Sequence, residues 1–312
     1  MMELTASSAP YIRTGTGVKR IMLDVIIALS PAVIASVVLY GFYAAAIIVT
    51  CVASCVASEY LFNRAAKRTQ TVGDLSAVVT GLILALSLNA ETALWECALG
   101  SAFAIVLVKC VFGGTGCNFA NPAAAGRVFM LLSFGSVAGG SMPRMLDAAA
   151  GATPLVQLGS GSVSDVQASL ADMLLGLRGG AIGEGCIAAL LLGFTYLIIR
   201  KTVKWYVPAI FVGTVFTCSV LSSGSFIYAL YAIMSGGLIF AAVFMASDYV
   251  TTPTNTGGKT LFALGCGLIT FVIRQYFSYP EGAAFAILLM NLLVPGLDRL
   301  GAVKYTGGEY DG

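Results

Sequence analysis

Ile21-Met22-Leu23-Asp24-Val25-Ile26-Ile27-Ala28-Leu29-Ser30-Pro31-Ala32-Val33-Ile34-Ala35-Ser36-Val37-Val38-Leu39-Tyr40 is a run of 20 residues with one charge, Asp24. About 20 apolar residues are what an α-helix needs to cross the hydrocarbon core of a bilayer. The same reading applies along most of the chain. Nine further segments have this character, at roughly 42–62, 74–90, 93–112, 123–138, 182–200, 205–222, 226–247, 260–278 and 281–297. Composition agrees: 58% of the 312 residues are hydrophobic and 10% charged, against about a quarter charged in a soluble domain. Mean hydropathy is +0.90. No ten-residue alternating segments suggest a transmembrane barrel. The expected fold is all-α, a polytopic membrane protein of about ten transmembrane helices. The third, fifth and tenth segments are short or interrupted by Gly and Pro, as re-entrant or broken helices are.

Lysine and arginine set the orientation. With the N-terminus inside, 14 of the 17 basic residues fall on the inner side, leaving Arg144, Arg178 and Arg274 outside. Both termini are therefore expected in the cytoplasm. Residues 139–181, the longest polar interruption, fall on the outer face. Within them, Val166, Leu170, Met173, Leu174 and Leu177 fit a surface helix from Ser164 to Leu177. Five segments precede the interruption and five follow, so the second half enters the membrane from the opposite side. Inverted halves place binding sites near the midplane, at broken helices. The domain reading is an N-terminal five-helix half over 1–138, an outer segment over 139–181, and a C-terminal five-helix half over 182–312.

There is no histidine, which excludes His-ligated haem, most catalytic zinc sites and a histidine acid/base relay. The eight cysteines form no CxxC pair, and seven lie in apolar segments, where cysteine behaves as a small hydrophobe. No metal site is expected from this chain alone. Arg13, Lys19 and Arg20 precede the first span without a small-residue cleavage site, so that span reads as retained rather than as a signal peptide. Nothing resembles a nucleic-acid footprint.

Four polar stretches stand out. Asp147-Ala148-Ala149-Ala150-Gly151-Ala152-Thr153-Pro154-Leu155 surrounds a threonine with small residues, and Pro154 biases Thr153 to extended geometry; a Gly/Ala-rich turn is the plain alternative. Gly113-Gly114-Thr115-Gly116-Cys117-Asn118-Phe119-Ala120-Asn121-Pro122 lacks the Gly-Lys-Ser/Thr ending of a phosphate loop. Asn121 before Pro122 fits an N-cap with proline at the first helical position. Arg127 then sits one to two turns into that helix, facing protein or a cavity rather than lipid. Asp248, closing the eighth segment, is either a turn cap or a hydrogen-bonding group for a ligand or protonatable partner. Glu281 opens the tenth segment, where the helix dipole alone accounts for a carboxylate. Asp24 and Glu59 near span ends are read as snorkelling, with ion or proton handling as the alternative.

Five stretches together, Ile21 to Ala32, Gly113 to Arg127, Asp147 to Leu155, Phe244 to Pro253 and Tyr279 to Pro295, resemble the RnfD/NqrB family of membrane flavoproteins, and within it the Rnf-type D subunits. The family's attachment motif, Asp-x-x-Ser/Thr-Gly-Ala-Thr, falls on Asp147, Gly151, Ala152 and Thr153, departing at Ala150. The resemblance implies FMN joined through its phosphate to the Thr153 hydroxyl, loaded by a flavin transferase. It also implies a fold like that of urea transporters in a prokaryotic cytoplasmic membrane, with partners that are the other subunits of an Rnf-type complex, including a second flavoprotein on the outer face. A further, riboflavin-like flavin is expected between the halves where Asn121, Arg127 and Asp248 converge, with Glu281 as an additional candidate contact.

Two functions from different classes follow. One is a membrane electron-transfer subunit carrying FMN, part of a redox-driven ion-pumping translocase rather than a stand-alone enzyme. The other is a solute channel or secondary transporter of urea-transporter-like fold, against which no segment shows a continuous polar face.

Overall fold

The structure, a computed structural model, describes residues 17–135, 141, 143, 158, 169–277 and 282–300. Every described element is helical apart from one isolated antiparallel bridge, Ser141 with Gly180. The helices are α1 Val18–Tyr40, α2 Phe42–Ala65, α3 Ser76–Leu86, α4 Leu94–Phe103, α5 Pro122–Ser133, α6 Leu170–Leu175, α7 Ile187–Ile199, α8 Tyr206–Ser223, α9 Phe226–Met234, α10 Leu238–Phe240, α11 Thr256–Tyr276 and α12 Gly282–Leu300. Five of them (α1, α2, α8, α11 and α12) are long and apolar enough to cross a membrane, or six if the bent pair formed by α9 and α10 is one span. The protein is a polytopic, all-helical membrane protein. Hydropathy overestimates helix length in the third, fifth and sixth segments, whose helices have 11, 12 and 13 residues. The tenth segment, by contrast, is an uninterrupted 19-residue helix with Pro295 inside it. The surface helix expected from Ser164 is present from Leu170 to Leu175, and residues 164–168 lie outside the described part of the chain.

Two helices continue into π-helical turns. α4 runs on as Ala104–Cys110, where the Val111 N–H reaches the Val106 carbonyl at 3.0 Å, five residues back. α10 runs on as Ala241–Met245, with the Ala246 N–H on the Ala241 carbonyl at 2.7 Å. The second follows a bend of 64° at Ser235-Gly236-Gly237. That break frees backbone carbonyls which hydrocarbon would leave unsatisfied. Arg274 takes them: its guanidinium donates to the Ala232 carbonyl at 2.8 Å and the Ser235 carbonyl at 3.2 Å. Arg68 does the same at the end of the first π-turn, donating to the Cys110 carbonyl at 2.8 Å. Irregular backbone at membrane depth is tolerated where it is buried in protein or lines a cavity, so the bend and the two π-turns direct attention to the region around them.

Packing between helices relies on close backbone approach, as is usual without a hydrophobic drive between spans. A Cβ on Gly193 of α7 would collide with the Ala28 carbonyl oxygen of α1. One large apolar core runs through the bundle, with Leu29, Leu84, Leu86, Phe211, Phe240 and Phe262 almost wholly buried.

Candidate functional site

The π-turn Ala104–Cys110 leads into a loop that only glycine allows in this form. Gly113, Gly114 and Gly116 have φ of 124°, 94° and 96°, a region that residues with a Cβ rarely enter. The loop returns the chain to Asn121, which caps α5: its side-chain oxygen accepts the Ala123 and Ala124 N–H groups at 3.0 and 3.1 Å. Pro122 occupies the first helical position, as the sequence predicts. The Asn121 amide nitrogen donates to the Met245 carbonyl at 3.1 Å, at the end of the second π-turn. Asn291 of α12, in its hydrogen-bonding orientation, joins the same seam, accepting the Asn121 N–H at 2.9 Å and donating to the Thr251 carbonyl at 3.0 Å. The start of α5, the end of the second π-turn and α12 are thereby tied together.

Beside this seam is a cleft that takes in about 760 Å³ of space, most of it the open mouth. Val25, Val79, Ile83, Val243 and Phe244 supply apolar wall; Ser76, Lys109, Thr115, Asn118, Asn121 and Asp248 supply the polar groups. Ile21 and Met22 at the start of α1 and Thr202 and Val203 after α7 also border it. These residues follow Lys19 and Arg20, and Arg200 and Lys201, directly in sequence.

Asp248 lies in the turn between the second π-turn and α11. Its carboxylate accepts the Val250 N–H at 3.3 Å and the Thr251 hydroxyl at 3.2 Å, so it does cap a turn. Burial pushes its carboxyl above the usual carboxylate range, partly offset by those two hydrogen bonds. Asn118 contributes an unmet demand: its side-chain oxygen is buried without a hydrogen-bond partner. Buried acceptors are nearly always paired, so an N–H from an occupant of the cleft fits there.

Of the residues expected to converge, Asn121 and Asp248 line this cleft. Arg127, 3% exposed, faces protein as expected but borders a smaller cavity of about 320 Å³ with Ser87, Glu184 and Arg274. Asp147, Gly151, Ala152 and Thr153 of the attachment motif, and Glu281, lie outside the described residues.

Hydropathy alone missed the most buried charges. Glu59, read from the sequence as snorkelling, is 0% exposed and pairs with Lys109, 1% exposed, at 2.8 Å. The Thr71 hydroxyl donates to the other Glu59 oxygen at 2.5 Å, and the Asn63 amide donates to Thr71 at 3.0 Å. Lys109 also donates to the Ser76 hydroxyl at 2.5 Å. Asp24 is likewise paired rather than reaching out alone: Arg200 lies 3.2 Å away and the Tyr196 hydroxyl donates to it at 3.2 Å. The available signal for Lys109 was a lone cation inside the apolar run 104–112. Among the described residues no group of three or more Cys, Asp and Glu is arranged to hold a metal ion.

A family model described as the NQR2, RnfD, RnfE family matches residues 5–307. The chain belongs to this family. Among its members, the D subunit of the Na(+)-translocating ferredoxin:NAD(+) oxidoreductase complex of Acetobacterium woodii is 40% identical over 301 residues, covering 96% of this chain and 93% of that protein. The D subunit of the proton-translocating ferredoxin:NAD(+) oxidoreductase complex of Clostridium ljungdahlii is 36% identical over 310 residues, covering 95% and 93%. The D subunit of an ion-translocating oxidoreductase complex of Halorhodospira halophila is 34% identical over 336 residues, covering 96% and 94%. The NQR2, RnfD, RnfE assignment agrees with the resemblance carried by the five sequence stretches.

Proposed function

We propose that this chain is the D-type membrane subunit of an ion-translocating electron-transport complex and that it relays electrons through bound flavin. The full-length relation to two ferredoxin:NAD(+) oxidoreductase subunits is the observation that carries this reading. FMN is attached through its phosphate to Thr153, on the outer side of a prokaryotic cytoplasmic membrane, after loading by a flavin transferase. The ten apolar segments form two inverted five-helix halves, with both termini inside. The remaining subunits of the complex, including a flavoprotein on the outer face, are its partners.

A second, riboflavin-like flavin occupies the cleft at the seam. Apolar walls from Val79, Ile83, Val243 and Phe244 suit a planar aromatic ring, and the unpaired Asn118 oxygen suits a ring N–H. Asn121 and Lys109 supply donors, and Asp248 is a further polar contact. Flavins exchange one or two electrons, which is the chemistry such a cofactor supplies; the chain binds, orients and shields it.

The covalent part is tested by expression with a flavin transferase and in-gel flavin fluorescence. Wild type is fluorescent and Thr153→Ala dark; equal signals in both end this reading. Solute flux in liposomes holding the flavin-free chain would favour the channel alternative instead.

A further inference from the structure

Lys109 is unusual in being both deeply buried and part of the cleft wall. Its ammonium has three protons to donate. One goes to Glu59 and one to Ser76. The Ser76 hydroxyl in turn donates to Asp74 at 2.5 Å, and the Thr115 hydroxyl, 3.1 Å from that of Ser76, donates to the other Asp74 oxygen at 2.7 Å. Burial falls along this row: Lys109 is 1% exposed, Ser76 is 5% exposed, and Asp74 is only half-buried. An unbroken line of hydrogen bonds thus runs from a carboxylate in reach of solvent to an ammonium on the cleft. Glu59, held by Thr71, fixes Lys109 from behind without joining the line.

We propose that Asp74, Ser76 and Lys109 form a proton relay into the cleft, with Lys109 the donor to its occupant. The inference rests on the cleft holding a non-covalent flavin. When a one-electron reductant adds an electron to that ring, a ring heteroatom gains basicity. Lys109 gives up one N–H proton, and the new bond is between that proton and the ring heteroatom. The Lys109 amine then takes the Ser76 hydroxyl proton; the Asp74 carboxylate, which accepts the Ser76 and Thr115 hydroxyls, picks up a proton from solvent and passes it to the Ser76 oxygen, ending as a carboxylate again. One electron and one proton enter, charge is balanced, and Lys109 ends as it began. The other titratable groups at this place are Glu59 from α2, Cys110 next to Lys109, and Asp248 and Tyr249 from the turn before α11.

The test uses the full chain made without flavin transferase and loaded with riboflavin, so that only non-covalent flavin is read. Photoreduction with a deazaflavin one-electron donor is followed by flavin absorbance and by a pH-indicator dye. Wild type takes up one proton per electron without lag. Ser76→Ala, which cuts the link between Lys109 and Asp74, slows uptake at least tenfold at unchanged flavin content, and Ser76→Thr restores it. Asp74→Asn, at the solvent end, gives the same slowing and decides the matter if Ser76→Ala retains no flavin. Uptake at the wild-type rate in Ser76→Ala or in Asp74→Asn, with flavin bound, overturns the relay and leaves the flavin reading standing. A wild-type chain that retains no riboflavin removes the occupant, and the relay falls with it.

Discussion

Removing the cation of the Lys109–Glu59 pair alone is expected to be far more damaging than removing both charges. The two groups are 2.8 Å apart and 1% and 0% exposed. At an effective dielectric near 20 their attraction is about 6 kcal/mol. Taking each ion out of water costs several kcal/mol, so the intact pair is close to neutral for stability. Lys109→Met leaves Glu59 with only the Thr71 hydroxyl, a buried carboxylate without its counter-charge, and such losses run to about 3–5 kcal/mol. At about 2–4 °C per kcal/mol for a chain of this size class, that lowers the unfolding midpoint by roughly 6–20 °C. The double variant Lys109→Met/Glu59→Leu should recover most of the loss, because well-packed apolar replacements of buried pairs are often neutral. Thermal unfolding of the detergent-solubilised protein, followed by tryptophan fluorescence and by size-exclusion profile, reads all three proteins. A single variant as stable as wild type, or a double variant no better than the single, would refute the assignment of a buried, mutually dependent pair.

Asn121→Ala removes both the cap of α5 and the tie to Met245; about 1–2 kcal/mol is expected from the cap and about 1 kcal/mol from the tie. Asn121→Asp keeps the cap and should lose the smaller part, as thermal shift will show. Gly193→Val drives a side chain into the Ala28 carbonyl and should abolish monodisperse protein on size exclusion, with Gly193→Ala intermediate. The Asp248 carboxyl is raised by burial in the folded state. A raised acid holds its proton more tightly folded than unfolded, so its contribution is full below the ordinary carboxylate range and is lost as pH rises through the folded value. Asp248→Asn should therefore flatten the fall of unfolding midpoint with rising pH above that range; a variant as pH-sensitive as wild type would contradict it.

The fold was legible wherever a chemical signal is local. Apolar runs such as 21–40 announce helices at membrane length, and Asn121-Pro122 announces its own cap because the two residues that make it are adjacent. The α9–α10 bend had a local signal too, Ser235-Gly236-Gly237, yet the average hydropathy of 226–247 smooths over it. The Lys109–Glu59 pair had none of that kind. Its partners are 50 residues apart, and whether a charge near a span end turns to water or to a partner depends on how α2 and the first π-turn are rotated against each other. The π-turns themselves carry no residue signature in this chain: Ala104–Cys110 and Ala241–Met245 read as ordinary apolar helix. Asn121 and Asp248 could be placed together because the expected topology sets both turns on the inner side, whereas Arg127 lies far enough along α5 to border a different cavity.

Each wide turn also acts as a phase shifter. A π-turn holds one residue more than an α-turn, and one residue is about 100° of rotation. Were Ala104–Cys110 to wind as ordinary α-helix with no residue removed, Lys109 would emerge on another side of the cylinder, away from Glu59 and Ser76; the wide turn absorbs the extra residue. The ionic contact and the polar wall of the cleft are therefore set by the length of one helical winding as much as by the identity of any side chain. Rewinding it as ordinary helix at the same length would scramble them with every polar residue still present.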